Sequence, residues 1–490
     1  MDNSLKKVYS SITAFSFAVT LVLTVSYIFT NRLDNLLYLV WSLLISVLLF
    51  CFTDIKKYII HLFFYITIFI FLVSRPTIDY LRVPIFNTYQ KDAYQFAFII
   101  VIISVMGLFL GGIFCNRILK ITYRNNKKDN GYEVDKYLKN LRIVSLAVYL
   151  VSYPFYTLRL LERLFFKLNT DYYTYYATFK SQLPYFTYIL STFMIYSMCV
   201  YLASKPNKKS ATLVLLSNIF ANGIYLLIGT RNPFILSLMF AFLYYFIRNQ
   251  EGVKKLWIGT KEKIAIIFSV PALMAAMGFL NYIRDGAEVS GFNFFNIIVD
   301  FIYKQGTSFG VLARGYLYNS NIPVRSFVNF TFGSIIEYFT KGNLGQILFN
   351  TKPFVETTNS VELALKSNSY AHNLSYIVLK KEYLDGHGLG SSFIMENYTD
   401  YGYIGVFLFS LFLGALFVYM LRLSYDNRPL GFTCVLMILT NLFFMPRSSF
   451  SESFFSLFTF QFWGIIILIF FVAKLIGKTN SYTILGKERI

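Results

Sequence analysis

The chain has 490 residues, of which 56% are hydrophobic and only 14% are charged. Apolar runs near twenty residues recur along its whole length, and each is long enough to cross ~30 Å of hydrocarbon as a helix. This composition excludes an ordinary soluble protein, and the lack of ten-residue alternating segments excludes a transmembrane barrel.

The apolar runs predict about twelve membrane-spanning helices, which puts both termini on one side of the membrane. We place them near residues 9–30, 35–53, 57–75, 93–115, 141–159, 183–203, 211–229, 233–247, 264–282, 401–421, 430–445 and 455–473. Lys and Arg concentrate in the turns that lie inside when the N-terminus is cytoplasmic, so we predict cytoplasmic termini. The net charge of +20 therefore reflects the membrane topology. The basic residues are spread over separate turns, which excludes a nucleic-acid-binding patch.

Residues 283–400 interrupt this regular pattern. They contain no convincing span, lie outside in the predicted topology, and are too rich in aromatic and aliphatic residues to be disordered. Stretches such as FFNIIVDFIYKQ have helical spacing. We therefore predict an all-α polytopic membrane protein in three parts. Residues 1–282 hold nine spans, 283–400 form a large helical extracytoplasmic loop, and 401–490 hold three spans and a cytoplasmic tail.

Arginines recur at the outer ends of the predicted spans and in the loop. They are Arg231 in GTRNP, Arg284 in NYIRDG, Arg314 in LARGY and Arg447 in MPRSSF. A guanidinium near hydrocarbon costs several kcal/mol unless it finds a partner, and its geometry suits two parallel hydrogen bonds to phosphate oxygens. The alternative is that each arginine anchors its helix at the interface or pairs with a nearby acid.

The stretch DGHGLGSSFIMENYTDYGYIG leads from the loop into a span. Gly388 and Gly390 favour a tight turn whose N–H groups could hold an anion. Ser391 or Ser392 could cap the helix that follows. Glu396 comes one turn later, where partial burial would suit a general base, although a glutamate there also favours the helix dipole.

Histidine offers a second candidate for proton transfer. His372, in SYAHNLSY of the outer loop, has a side chain whose ordinary pKa is near 6.5, and a packing role remains the alternative. The outer side carries neither a cluster with metal-ligand spacing nor a DxD-like pair, and the chain carries no Walker-type loop. We therefore predict neither a metal nor a cofactor.

Taken in order, GTRNP, YIRDG, the AHN of the loop, GLGSSFIMENYTDYGYIG and MPRSSF resemble the O-antigen and capsular polysaccharide polymerases of the Wzy type. The resemblance implies transfer of a growing chain from undecaprenyl pyrophosphate onto a fresh lipid-linked repeat unit, at the outer face of the bacterial cytoplasmic membrane. It places Arg231, Arg284 and Arg447 near the pyrophosphate. It leaves Glu396 and His372 as alternatives for the acid or base. A chain-length regulator and a flippase are the implied protein partners.

Two other functions stay open. A flippase of lipid-linked oligosaccharides would have a similar number of spans, but it has less use for a structured outer loop and usually shows two similar halves. An O-antigen ligase would use the same donor with a different acceptor. The sequence names neither the sugars nor the linkage.

Overall fold

The computed structural model describes residues 3–83, 90–119, 131–251, 256–285, 293–323, 325, 328–355, 358–426 and 428–487, and these contain helices and no strand. The first helices are α1 (Asn3–Thr30), α2 (Leu33–Thr53), α3 (Ile55–Ile68), α4 (Ser74–Arg82), α5 (Lys91–Leu119), α6 (Gly131–Leu168) and α7 (Tyr172–Thr178). Next come α8 (Tyr185–Ala203), α9 (Lys208–Ile228), α10 (Asn232–Gln250) and α11 (Thr260–Asp285). The all-α prediction is confirmed.

The segment between residues 283 and 400 folds into short helices. They are α12 (Phe294–Gln305), α13 (Ser308–Tyr318), α14 (Gly333–Lys341), α15 (Asn343–Phe349), α16 (Val361–Lys366), α17 (Tyr370–Leu379) and α18 (Lys381–Leu384). The chain continues with α19 (Phe393–Tyr425), α20 (Pro429–Leu439), α21 (Phe450–Phe454) and α22 (Phe460–Lys487). The long non-spanning segment is therefore built of helices.

Within the described residues, eleven helical stretches are long and apolar enough to cross a membrane. Their positions match the predicted spans except at residues 233–247, where α10 forms but is not among the eleven. The ends of α10 are polar and its sequence contains two adjacent tyrosines, which lowers its mean hydropathy. The multi-pass prediction is confirmed at eleven of the twelve predicted spans, and the span at residues 233–247 stays a prediction.

The chain divides into two compact units, each made of separate stretches of sequence. The first unit comprises Met1–Ile121, Ile258–Leu421 and Leu442–Glu452. The second comprises Thr122–Trp257, Arg422–Asn441 and Ser453–Ile490. The short helices α12–α18 all belong to the first unit.

In the first unit, α5 and α19 cross at small residues. Gly107 and Gly111 lie one turn apart on α5, and they face a surface of α19 on which Ser410 and Gly414 are also one turn apart. The hydroxyls of Ser104 and Ser410 share a hydrogen bond of 2.9 Å. Small residues spaced in this way let two helix backbones approach closely inside a membrane, where van der Waals packing drives association.

We expect Gly414→Ala to destabilise the protein by about 1–3 kcal/mol, because overpacking forces the two helices apart. A Cβ at Gly414 would lie 2.0 Å from the carbonyl oxygen of Leu108 on α5. The matched control is Gly464→Ala on α22, where a Cβ would meet nothing within 4 Å. The measurement is the midpoint of thermal unfolding in detergent. Equal midpoints for the two variants would contradict the close crossing.

Candidate active site

The first turn of α19 holds a cluster of buried polar groups around Glu396, which is only 2% exposed. The hydroxyl of Ser391 donates to Glu396 Oε1 at 2.6 Å, while Oε2 has no hydrogen-bond partner of normal geometry. Ser392 Oγ and Asn397 Oδ1 are also buried and without a partner. Buried polar atoms in native proteins are nearly always paired, so several open ones at one helix start indicate a functional role.

A second glutamate, Glu452, lies close enough to Glu396 for its charge to act on that carboxyl. Glu452 is on the short helix α21, where its N–H donates to Ser449 Oγ at 3.0 Å. Its side chain is exposed, yet desolvation by the surrounding protein raises the pKa of Glu452, and a hydrogen bond from Ser448 only partly opposes this. The carboxyl of Glu452 is therefore accessible and also surrounded by protein groups.

Arg447 ends the 3₁₀ turn Leu442–Arg447, a few residues before Glu452. Its Nη1 donates to both the backbone oxygen of Gln305, at 3.1 Å, and the side-chain Oε1, at 3.0 Å. Gly390 has a φ of +77°, and a Cβ there would lie 3.8 Å from the carbonyl oxygen of Arg447. The glycine turn before α19 therefore packs against the segment that carries Arg447 and Glu452.

Arg75 belongs to the same region, although the sequence analysis did not select it. A Cβ at Gly306, the residue after the glutamine that holds Arg447, would lie 2.6 Å from the Cβ of Arg75. The guanidinium carbon of Arg75 lies 4.8 Å from the ring centre of Tyr303. A π turn, Phe69–Val73, directly precedes α4, and such turns are common at functional sites. Arg75 also ends a predicted span, so the criterion used for the other arginines would have found it.

His372 makes its contacts within the loop. Its Nδ1 shares a hydrogen bond of 2.8 Å with the hydroxyl of Tyr383, which also donates to the carbonyl of Ser360 at 3.3 Å. Burial lowers the pKa of His372, which favours the neutral imidazole. One turn later on α17, Ser375 Oγ accepts the N–H of Leu389 at 2.9 Å. The helix of His372 is thereby tied to the glycine turn.

A sequence model of the family described as O-antigen polysaccharide polymerase Wzy matches residues 12–480, which is nearly the whole chain. The chain belongs to this family. Members of the Wzy family are polymerases, glycosyltransferase-like enzymes that act on lipid-linked oligosaccharide repeat units in a membrane. No curated protein and no solved structure matches the chain.

The glycine turn of this Wzy polymerase differs from the prediction in detail. Gly386 and Gly390 have positive φ, whereas Gly388 does not. Three amides of the turn donate to acceptors within the protein, which leaves fewer of them for an anion than predicted. The predicted caps are wrong, because Ser391 bonds to a glutamate and Ser392 Oγ has no partner. A turn that binds an anion stays a hypothesis.

The predicted arginines of the polymerase are distributed over both units. The backbone of Arg447 packs near the turn that precedes Glu396 while its guanidinium bonds to Gln305, and Arg314 is exposed on α13 of the same unit. Arg231 directly precedes α10 in the second unit. The backbone of Arg284 lies in the last turn of α11, and its side chain is outside the described part of the chain. A single clamp of all four arginines therefore stays a prediction.

Proposed function

We propose that this polymerase transfers a growing glycan from undecaprenyl pyrophosphate onto a fresh lipid-linked repeat unit, with inversion at the anomeric carbon. The observation that supports this chemistry is the pair of carboxyls, Glu396 and Glu452, together with the packing of the Arg447 backbone against the glycine turn before Glu396. The reaction needs a base for the acceptor hydroxyl and a cation for the departing pyrophosphate. The first unit offers both within one region.

In the proposed reaction, the acceptor hydroxyl oxygen attacks C1 of the donor sugar and its proton passes to a carboxylate. The bond between C1 and the pyrophosphate oxygen breaks, and the electron pair leaves with undecaprenyl pyrophosphate. Arg447 and Arg75 would stabilise the charge that develops on that leaving group. Because attack and departure occur on opposite faces of C1, the anomeric centre inverts.

We assign the base to Glu452 because its exposed carboxyl can touch a substrate and its raised pKa improves proton transfer near neutral pH. Glu396 is buried and held by Ser391, so we assign it a positioning role, in which its charge acts on the surroundings of Glu452. His372 is the second candidate base, because its imidazole is favoured as neutral.

Two substitutions separate these candidates. His372→Gln and Tyr383→Phe both break the hydrogen bond between the two side chains. If His372 only positions the loop, we expect both variants to keep more than about a tenth of the polymerisation rate, since one neutral hydrogen bond is worth only ~1 kcal/mol. Rates are measured with purified protein and lipid-linked repeat units. Loss of activity in His372→Gln alone would transfer the base role to His372.

We further propose that the site faces the extracytoplasmic side of the bacterial cytoplasmic membrane and that both termini are cytoplasmic. The distribution of Lys and Arg over the turns supports this orientation. Cysteine labelling of a Cys-free variant by a membrane-impermeant reagent tests it. We expect labelling at Asn343→Cys in the loop and none at Asp426→Cys, and the reverse pattern would overturn the orientation.

The function itself is tested by deleting the gene and separating the surface glycan on a gel. We expect the high-molecular-weight ladder to disappear while single repeat units still reach the surface. Accumulation of lipid-linked units on the cytoplasmic side would instead indicate a flippase. A ladder that remains on its lipid carrier would indicate a ligase.

A further inference from the structure

The second unit contains a polar cavity of about 370 Å³ among its membrane helices. Its walls come from α6, α8, α9, α10 and α20, together with the segment that enters α22. This volume lies within the ~300–1,000 Å³ range of small-molecule sites. None of the described lining residues is Lys, Arg, Asp or Glu.

The lining residues lie at one end of the helix bundle. Tyr156 is in the second half of α6, Tyr225 is near the end of α9, and Pro233 is at the start of α10. Asn441 is the second residue after the end of α20. Successive spanning helices alternate in direction, so these positions share the end that carries the turn between α9 and α10. In the proposed topology this end is extracytoplasmic, where lipid-linked units would be bound.

Four of the lining side chains are amides, and two of them make no hydrogen bond to a described residue. The hydroxyl of Tyr156 donates to Asn222 Oδ1 at 2.9 Å, and Asn222 Nδ2 donates to the carbonyl of Asn218 at 2.9 Å. By contrast, the side chains of Asn441 and Gln461 line the cavity without a hydrogen bond to any described residue. Asn441 is exposed and Gln461 is half-buried, so both amides are accessible and can donate hydrogen bonds to a polar occupant and accept them from it.

Aromatic rings complete the lining. Tyr188, Tyr196, Phe240 and Phe455 border the cavity. A pyranose ring matches such a wall, because its C–H faces pack on aromatic rings while its hydroxyls both donate and accept hydrogen bonds. An acyl chain would leave the amides unpaired. Two cations border this wall: Arg163 Nη1 donates to the hydroxyl of Tyr225 at 3.2 Å, and the guanidinium carbon of Arg159 lies 5.1 Å from the ring centre of Tyr188.

We propose that this cavity binds a sugar residue of the lipid-linked repeat unit. The proposal rests on the polymerase function and adds a specificity site in the second unit, separate in role from the site of bond formation.

The test uses the full-length protein in nanodiscs made of lipids without sugar headgroups. The probes are neutral oligosaccharide fragments released by mild acid from the surface glycan of the strain that makes the protein. Saturation-transfer NMR measures their binding. We expect saturable binding to the parent protein and at least ten-fold weaker binding to the double variant Asn441→Ala, Gln461→Ala. Because neither side chain bonds to a described residue, these changes remove no known contact of the fold.

The matched control is Gln182→Ala, which removes an exposed glutamine of the same unit outside the cavity. We expect it to bind like the parent protein. Fragments that do not bind the parent, or that bind the double variant equally well, overturn the sugar site. Gene deletion separates the two proposals: a ladder that survives deletion removes the polymerase function, whereas loss of the ladder without fragment binding removes the cavity proposal alone.

Discussion

Glu452→Gln is expected to reduce the polymerisation rate at least ~100-fold while leaving the amount of protein in the membrane unchanged, as removal of a general base commonly does. The amide keeps the size of the side chain but cannot accept the proton of the acceptor hydroxyl. The assay follows ladder formation by purified protein on lipid-linked repeat units. The matched control is Glu382→Gln, which neutralises an exposed glutamate of the loop and is expected to have no effect.

The pH dependence of the same assay tests the role of Glu452 directly. Desolvation raises its pKa above the ~4.3 of an ordinary glutamate, and the base acts only when it is ionised. The rate should therefore rise with pH through this raised pKa and be lost as pH falls through it. The residual activity of Glu452→Gln should not show this rise of the rate with pH. If the rise persisted in the variant, another group would be responsible for it.

Arg447→Ala is expected to lower kcat by about 100-fold or more, with a smaller effect on KM, because charge develops on the pyrophosphate mainly in the transition state. Arg447 is held by Gln305, so its guanidinium is already oriented before substrate binds. Arg447→Lys should recover only part of the rate, since lysine keeps the charge but loses the paired hydrogen bonds.

The control for Arg447 is Arg428→Ala, whose side chain is 87% exposed at the start of α20. We expect it to leave the rate unchanged. If Arg447→Ala raised KM without lowering kcat, the arginine would bind the pyrophosphate equally well in the ground state and in the transition state. The assignment to leaving-group stabilisation would then fail.

The candidate site was only partly predictable from local sequence. Glu396 could be selected because glycines, serines and a carboxylate stand at the mouth of an apolar run. Glu452 could not be selected, because the stretch SSFSESF is typical of an ordinary polar turn between two spans. Its proximity to Glu396 arises when the segment that carries Arg447 packs against the turn at Gly390. Similarly, neither serine expected to cap α19 does so, because the hydroxyl of Ser391 donates to the buried carboxylate of Glu396 and Ser392 Oγ has no partner.

By itself the sequence determined that this protein is a helical, multi-pass membrane protein with a long segment of short helices before its last spans. The reason is local: a backbone in hydrocarbon must satisfy its own hydrogen bonds, so each apolar run of sufficient length becomes a helix. Only the tertiary structure decided which polar side chains meet. Glu396, Arg75 and the segment that carries both Arg447 and Glu452 are far apart in the chain, and small residues such as Gly111 and Gly306 let the helices that hold them approach.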